Sequence, residues 1–194
     1  MKSVTTRYLM TCAAIGAAMG VLLIPANFVS APLAAAAPMA YAPMVGLWLI
    51  GPVLALALIR RPGAAVLTTF VAGVVSSASP VGAWSIVTCL MAGVALELAF
   101  VVTLYRVWRP WLYYAAAVVF GGLYVASGWA AFNMGSMMTG VLVTFVALMI
   151  GSFVAATWLG LFLAQRLAKA GVARGLAAPR GSAEPAQVAH TDAR

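Results

Sequence analysis

The chain has 194 residues, 65% of them hydrophobic and 7% charged, with 11 Lys and Arg against 3 Asp and Glu and a net charge of +8. Soluble domains carry about 25% charged residues, so this composition excludes a soluble globular fold. Six spans of about 20 residues consume most of the length, which excludes energy-coupling machinery on the same chain.

The cations are scattered over loop ends and a tail, a pattern of membrane topology and not of nucleic-acid binding. Lys2 and Arg7 precede the first hydrophobic run, and Arg60 and Arg61 lie between the second and third. Arg106 and Arg109 lie between the fourth and fifth, and Arg166, Lys169, Arg174, Arg180 and Arg194 follow the last. The other three breaks carry no charge. Basic loops stay in the cytoplasm, so the pattern predicts an all-α membrane protein of six spans with both termini cytoplasmic. The same basic loops would anchor against anionic lipid headgroups.

The first span is expected at about Leu9–Val29. It shows no clear small-residue cleavage site and reads as an uncleaved signal anchor. Ala13/Ala17 and Gly16/Gly20 are each four apart, so each pair shares a helix face that lets another helix approach closely, within the chain or on a second subunit. An Ala/Pro-rich outer connection is expected over Ser30–Ala42.

The second span is short, about Pro43–Ile59, with a kinking Pro52 inside. A tight turn, Arg60-Arg61-Pro62-Gly63, leads to span three at about Gly63–Ser79. Span four is about Trp84–Tyr105, span five about Trp111–Ala131 and span six about Met137–Ala164, whose helix is expected to run a turn or two beyond the bilayer. Residues 171–194, rich in Ala, Gly, Pro, Arg and Ser, are expected to be a disordered cytoplasmic tail. Cys12 and Cys89 sit inside apolar runs, as packing residues and not a disulfide pair.

Glu97 is the only acid before residue 184. It lies about 12 Å inside the inner end of span four at 1.5 Å rise per residue, where a carboxylate needs a partner or a cavity. Two readings stand: a substrate acceptor or gate, or a structural acceptor for hydroxyls or a loop arginine. Tyr41, Trp84, Trp129 and Phe132 gather around the uncharged outer loops, with Asn27 and Asn133 at similar depth. Either they form the interfacial aromatic belt, or they wall a site for an uncharged or cationic small molecule.

The only histidine is His190, and no Asp lies within the spans. No metal site, intramembrane protease or nucleotide-binding loop can be assembled from these residues, so no catalytic residue or cofactor is expected.

Gly46-Leu47-Trp48, then Ile59-Arg60-Arg61-Pro62-Gly63-Ala64-Ala65, then Gly93-Val94-Ala95-Leu96-Glu97-Leu98-Ala99-Phe100 leading into Tyr105-Arg106, follow one another along the chain. Together with Leu167–Val172 they resemble the YkoE family, the membrane-embedded substrate-binding (S) components of energy-coupling-factor (ECF) transporters. Thr69 and Ala92 depart from the Glu and Gln common at those places in the family.

The resemblance implies a six-helix importer subunit in a prokaryotic plasma membrane. It would capture a vitamin, thiamine or its hydroxymethylpyrimidine moiety, and associate with a transmembrane coupling subunit and two cytoplasmic ATPases. The candidate substrate residues are Glu97, Trp84, Trp129, Asn133, Trp48 and Tyr41. Ala13, Ala17, Gly16 and Gly20 would face the coupling subunit. The competing readings are a non-transporting membrane scaffold, an S component for a different vitamin, and an autonomous secondary transporter, for which a single Glu is thin support.

Overall fold

The computed structural model describes residues 6–106, 108–130 and 132–171. Its α-helices are α1 (Thr6–Ala36), α2 (Pro38–Tyr41), α3 (Leu47–Ile59), α4 (Ala64–Ser76), α5 (Trp84–Val102), α6 (Pro110–Ser127) and α7 (Thr139–Lys169). Short 3-10 turns lie at Ala42–Met44 and Met134–Ser136, and the described residues contain no strand. Beyond Gly171 the expected tail lies outside the described residues.

Five segments are long and apolar enough to cross a membrane: α1, the run Pro38–Ile59, α5, α6 and α7. The remaining helix, α4, has 13 residues. At about 20 Å it is shorter than a hydrocarbon core of about 30 Å.

The largest differences from the expected bounds are at the end of α1 and before α3, and α5 and α6 end at Val102 and Ser127, short of the expected Tyr105 and Ala131. Residues Ser30 to Ala36, expected in a connection, continue α1, which has 31 residues with Pro25 and Pro32 inside. Alanine is the strongest helix former, and each proline removes only one N–H donor from the ladder. The second span gains α2 and the 3-10 turn before α3. The last helix runs a little over a turn past the expected span, to Lys169, placing Arg166 and Lys169 in its final turn, where cations complement the helix dipole.

The core gathers around α3, in which every residue from Leu49 to Leu56 is buried. Against it lies the contact of α1 with α4, which leaves no room for side chains between the two backbones. A Cβ on Gly16 would fall 2.6 Å from the Thr68 carbonyl oxygen, and one on Gly20 would fall 2.6 Å from the Val75 Cβ. The small residues of α1 therefore do two different things. Gly16 and Gly20 are buried against α4, whereas Ala13 and Ala17 are half-buried and Ala14 and Ala18 exposed. The glycines, expected at a subunit interface, pack within the chain in this structure.

Glu97 fixes the start of α4. The turn before this helix holds Arg60 at φ 50° and Gly63 at φ 83°, the left-handed region that glycine enters without a Cβ penalty. One carboxylate oxygen of Glu97 accepts the backbone N–H of Gly63, the N-cap residue. The other accepts the N–H of Val66 at 3.1 Å. The Tyr105 hydroxyl donates to the first oxygen at 3.0 Å. Helix starts leave N–H groups without intrahelical partners, and an anion there also meets the positive end of the dipole. A side chain of α5 thus caps α4, and the loop after α5 closes over the pair. The Tyr8 hydroxyl of α1 donates to the Pro62 carbonyl at 3.1 Å, and the Arg61 guanidinium stands 5.9 Å from the Tyr8 ring centre.

Replacing Glu97 by Gln turns an NH2 group toward a backbone N–H, so Glu97→Gln is expected to cost about 1–3 kcal/mol of stability. Gly20→Leu, which overpacks the α1–α4 contact, is expected to cost about 1–3 kcal/mol, while Ala14→Leu on the exposed face leaves stability unchanged. Thermal unfolding of the detergent-purified variants measures both.

Candidate functional site

The helix order sends the two ends of the bundle to different chemistry. The starts of α3, α5 and α7 and the far ends of α1 and α6 meet at an end whose connections carry no charge. The opposite end carries Arg7, Arg60, Arg61, Arg106, Arg109, Arg166 and Lys169.

A cavity of about 160 Å³ opens at the uncharged end. Tyr41, Trp48, Trp84, Phe120, Tyr124 and Phe153 wall it, with Asn27, Ser30 and Thr88 supplying polar groups. Each wall comes from a different place in the chain. Tyr41 ends α2, Trp48 lies in the first turn of α3, and Trp84 opens α5. Phe120 and Tyr124 are four apart and so share one face of α6, while Phe153 reaches across from α7.

The rings support one another. Phe153 meets Phe120 and Tyr124 edge-on, with ring centres 5.2 Å and 5.9 Å apart. Phe132 buttresses Tyr41 from behind at 5.5 Å. The Tyr41 and Tyr124 hydroxyls lie 2.7 Å apart, so one donates to the other and the pair keeps one proton to offer. Trp84 is 65% exposed and stands at the margin, whereas Asn27 is 1% exposed and is sunk in the wall.

Three of the six residues suggested for the substrate meet in this cavity: Tyr41, Trp48 and Trp84. Trp129 and Asn133 are exposed and belong to the turn between α6 and α7, outside its lining. Asn133 has φ 49° and its carbonyl accepts the Ser136 hydroxyl at 2.9 Å. Glu97 also lies outside the lining, at the basic end, with its oxygens committed to the start of α4. Tyr124, Phe120 and Phe153 were not singled out in the sequence. They sit mid-helix among other apolar residues, and nothing local distinguishes a ring that faces a cavity from one that fills the core.

A second cavity of about 290 Å³ lies at the basic end, lined by Arg60, Trp108, Tyr113, Tyr114, Trp158 and Phe162 among others. It is larger than the first, and its polar groups are the Arg60 guanidinium, the Gln165 amide, and the tyrosine and tryptophan side chains beside the basic loops. No group of three or more His, Cys, Asp or Glu side chains comes together among the described residues.

Comparison with known proteins gives concordant results. The family described as "ABC-type cobalt transport system, permease component" matches residues 7–123. The chain is 32% identical over 148 residues to the "Putative HMP/thiamine permease protein YkoE" of Bacillus subtilis (strain 168), a match covering 72% of this chain and 72% of that protein. It also superposes on a crystal structure of an S-component of ECF transporter with a TM-score of 0.77 and 26% identity, covering 90% of this chain and 91% of the other. By sequence and by fold, this chain belongs to the YkoE family of ECF transporter S components.

Proposed function

We propose that this chain is the substrate-capture subunit of an ATP-driven ECF vitamin importer, with thiamine or its hydroxymethylpyrimidine moiety as ligand. The observation that carries this reading is the aromatic cavity at the end of the bundle away from the cations. In this reading the basic end is cytoplasmic, the short α4 completes a sixth span, and both termini lie inside. The cavity then opens to the outside, where an importer meets its ligand. ATP hydrolysis belongs to separate subunits, since the sequence has no nucleotide-binding motif.

The chemistry of the walls supports the ligand class. Flat rings held between aromatic side chains gain contact area at little entropic cost, and Trp48 and Trp84 can flank a pyrimidine in this way. At about 160 Å³ the cavity is below the roughly 300–1,000 Å³ of drug-sized pockets, which suits the single pyrimidine ring that thiamine and its precursor share, with the second ring of thiamine extending past the walls. No charged side chain lines it, which disfavours phosphorylated forms. The cobalt in the matching family's description is not carried over. The lining has no His, Cys or carboxylate, and imidazole, thiolate or carboxylate ligands are what a divalent transition metal requires.

The partner surface in this proposal is the lipid-facing side of α1, through Ala13 and Ala17 with Ala14 and Ala18 beside them. Its small residues would let a coupling-subunit helix approach closely.

Cells expressing this chain with a coupling subunit and ATPases are expected to show saturable uptake of labelled thiamine or hydroxymethylpyrimidine. That uptake should be lost when the ATPases are omitted, and absence of saturable uptake counts against the substrate. Glu97→Gln is expected to change ligand affinity by less than about twofold, because its carboxylate is spent on α4. Ala13→Leu and Ala17→Leu are expected to bind ligand normally and to lose most co-purification with the coupling subunit. Normal uptake in those variants would remove α1 from the interface.

A further inference from the structure

One amide group in the cavity wall has an atom with nothing to do. Asn27 is 1% exposed, lines the cavity, and has an Oδ1 with no hydrogen-bond partner. Buried polar atoms are rarely left this way. The other end of the amide is fully occupied. Its Nδ2 donates to the Ser79 hydroxyl at 2.8 Å and to the Ser85 hydroxyl at 3.4 Å. Neither serine lines the cavity.

The serines hold the amide by its nitrogen. Ser79 and Ser85 both accept from the Asn27 NH2, and Ser85 is itself tied to Ser76, the two hydroxyls lying 2.6 Å apart. Three serines drawn from the end of α4, the turn after it and the start of α5 thus hold the amide in the orientation that leaves its oxygen over.

We infer that Asn27 is the specificity-determining residue of the cavity, its Oδ1 accepting a proton from an N–H or O–H donor on the edge of a flat ligand. This rests on the reading of the cavity as the capture site. The Tyr41–Tyr124 hydroxyl pair adjusts to a donor or an acceptor, whereas the Asn27 oxygen accepts only. A ligand with an exocyclic amine at that edge satisfies it, and a ligand with a carbonyl there sets oxygen against oxygen. Sites built around a hydrogen bond reject analogues that lack it far more strongly than apolar pockets reject a changed size.

The test compares two probes that differ at one position, 4-amino-5-hydroxymethyl-2-methylpyrimidine and its 4-oxo counterpart. Each is titrated into the purified full chain and followed by the fluorescence of Trp48 and Trp84. The wild type is expected to prefer the amino probe by at least about tenfold, the worth of roughly one hydrogen bond. Asn27→Ala is expected to reduce that preference to less than about threefold. Ser85→Ala keeps Asn27 but frees its amide to turn, and is expected to reduce the preference in the same way. It keeps the test decisive if Asn27→Ala does not fold. Equal binding of both probes by the wild type overturns the assignment and leaves the capture site standing, as does a full preference retained in the variants. Binding of neither probe overturns both.

Discussion

The hydrogen bonds between the Glu97 carboxylate and the start of α4 tie two neighbouring helices together at the basic end. In a hydrocarbon environment the free N–H groups of a helix start have no water to turn to. A short helix of 13 residues exposes such groups in proportion to very little hydrophobic length. Glu97 meets the N–H groups of Gly63 and Val66 from the neighbouring helix α5, and the Tyr105 hydroxyl adds a third bond to the same carboxylate. The energetic problem of an acid among apolar helices and that of an uncapped helix start are solved together.

Once α4 is anchored at this end, its position governs two other features. Its side faces α1 so closely that only Gly16 and Gly20 fit. Its far end delivers Ser76, and the turn beyond it delivers Ser79, to the cluster that holds Asn27. The basic end and the cavity are thus linked through one rigid element. The acid is not in the cavity, yet it helps determine where the cavity's buried amide stands. The division of labour follows the charge distribution. Cations, belt aromatics and the carboxylate occupy one end, and rings, hydroxyls and one amide occupy the other.

Much of this was legible in the sequence, for identifiable physical reasons. Long apolar runs with charged breaks marked the helices, because burial in lipid demands uninterrupted apolar length. Tyr41, Trp48 and Trp84 lie at helix ends, where aromatic residues stand out against loops, and all three line the cavity. Trp129 and Asn133 share that signature but belong to a turn outside the cavity lining, since depth in the membrane does not specify which way a side chain points. Tyr124 and Phe153 were missed because their role depends on facing partners far away in sequence, such as the 2.7 Å contact of Tyr41 with Tyr124. The pairing of Gly16 and Gly20 with α4 was open for the same reason. A small-residue face announces a close neighbour without naming it. Glu97 showed the limit most clearly: its rarity flagged it, but its partners are backbone N–H groups, which no side-chain pattern reveals.

In the proposed function the cavity at the uncharged end captures a small heterocyclic ligand. Native mass spectrometry of the purified chain, presented with thiamine and thiamine monophosphate together, tests it most directly. One bound thiamine per chain, little of the phosphorylated form, and loss of the adduct in Trp48→Ala are expected. An adduct that survives Trp48→Ala, or no adduct at all, would contradict it.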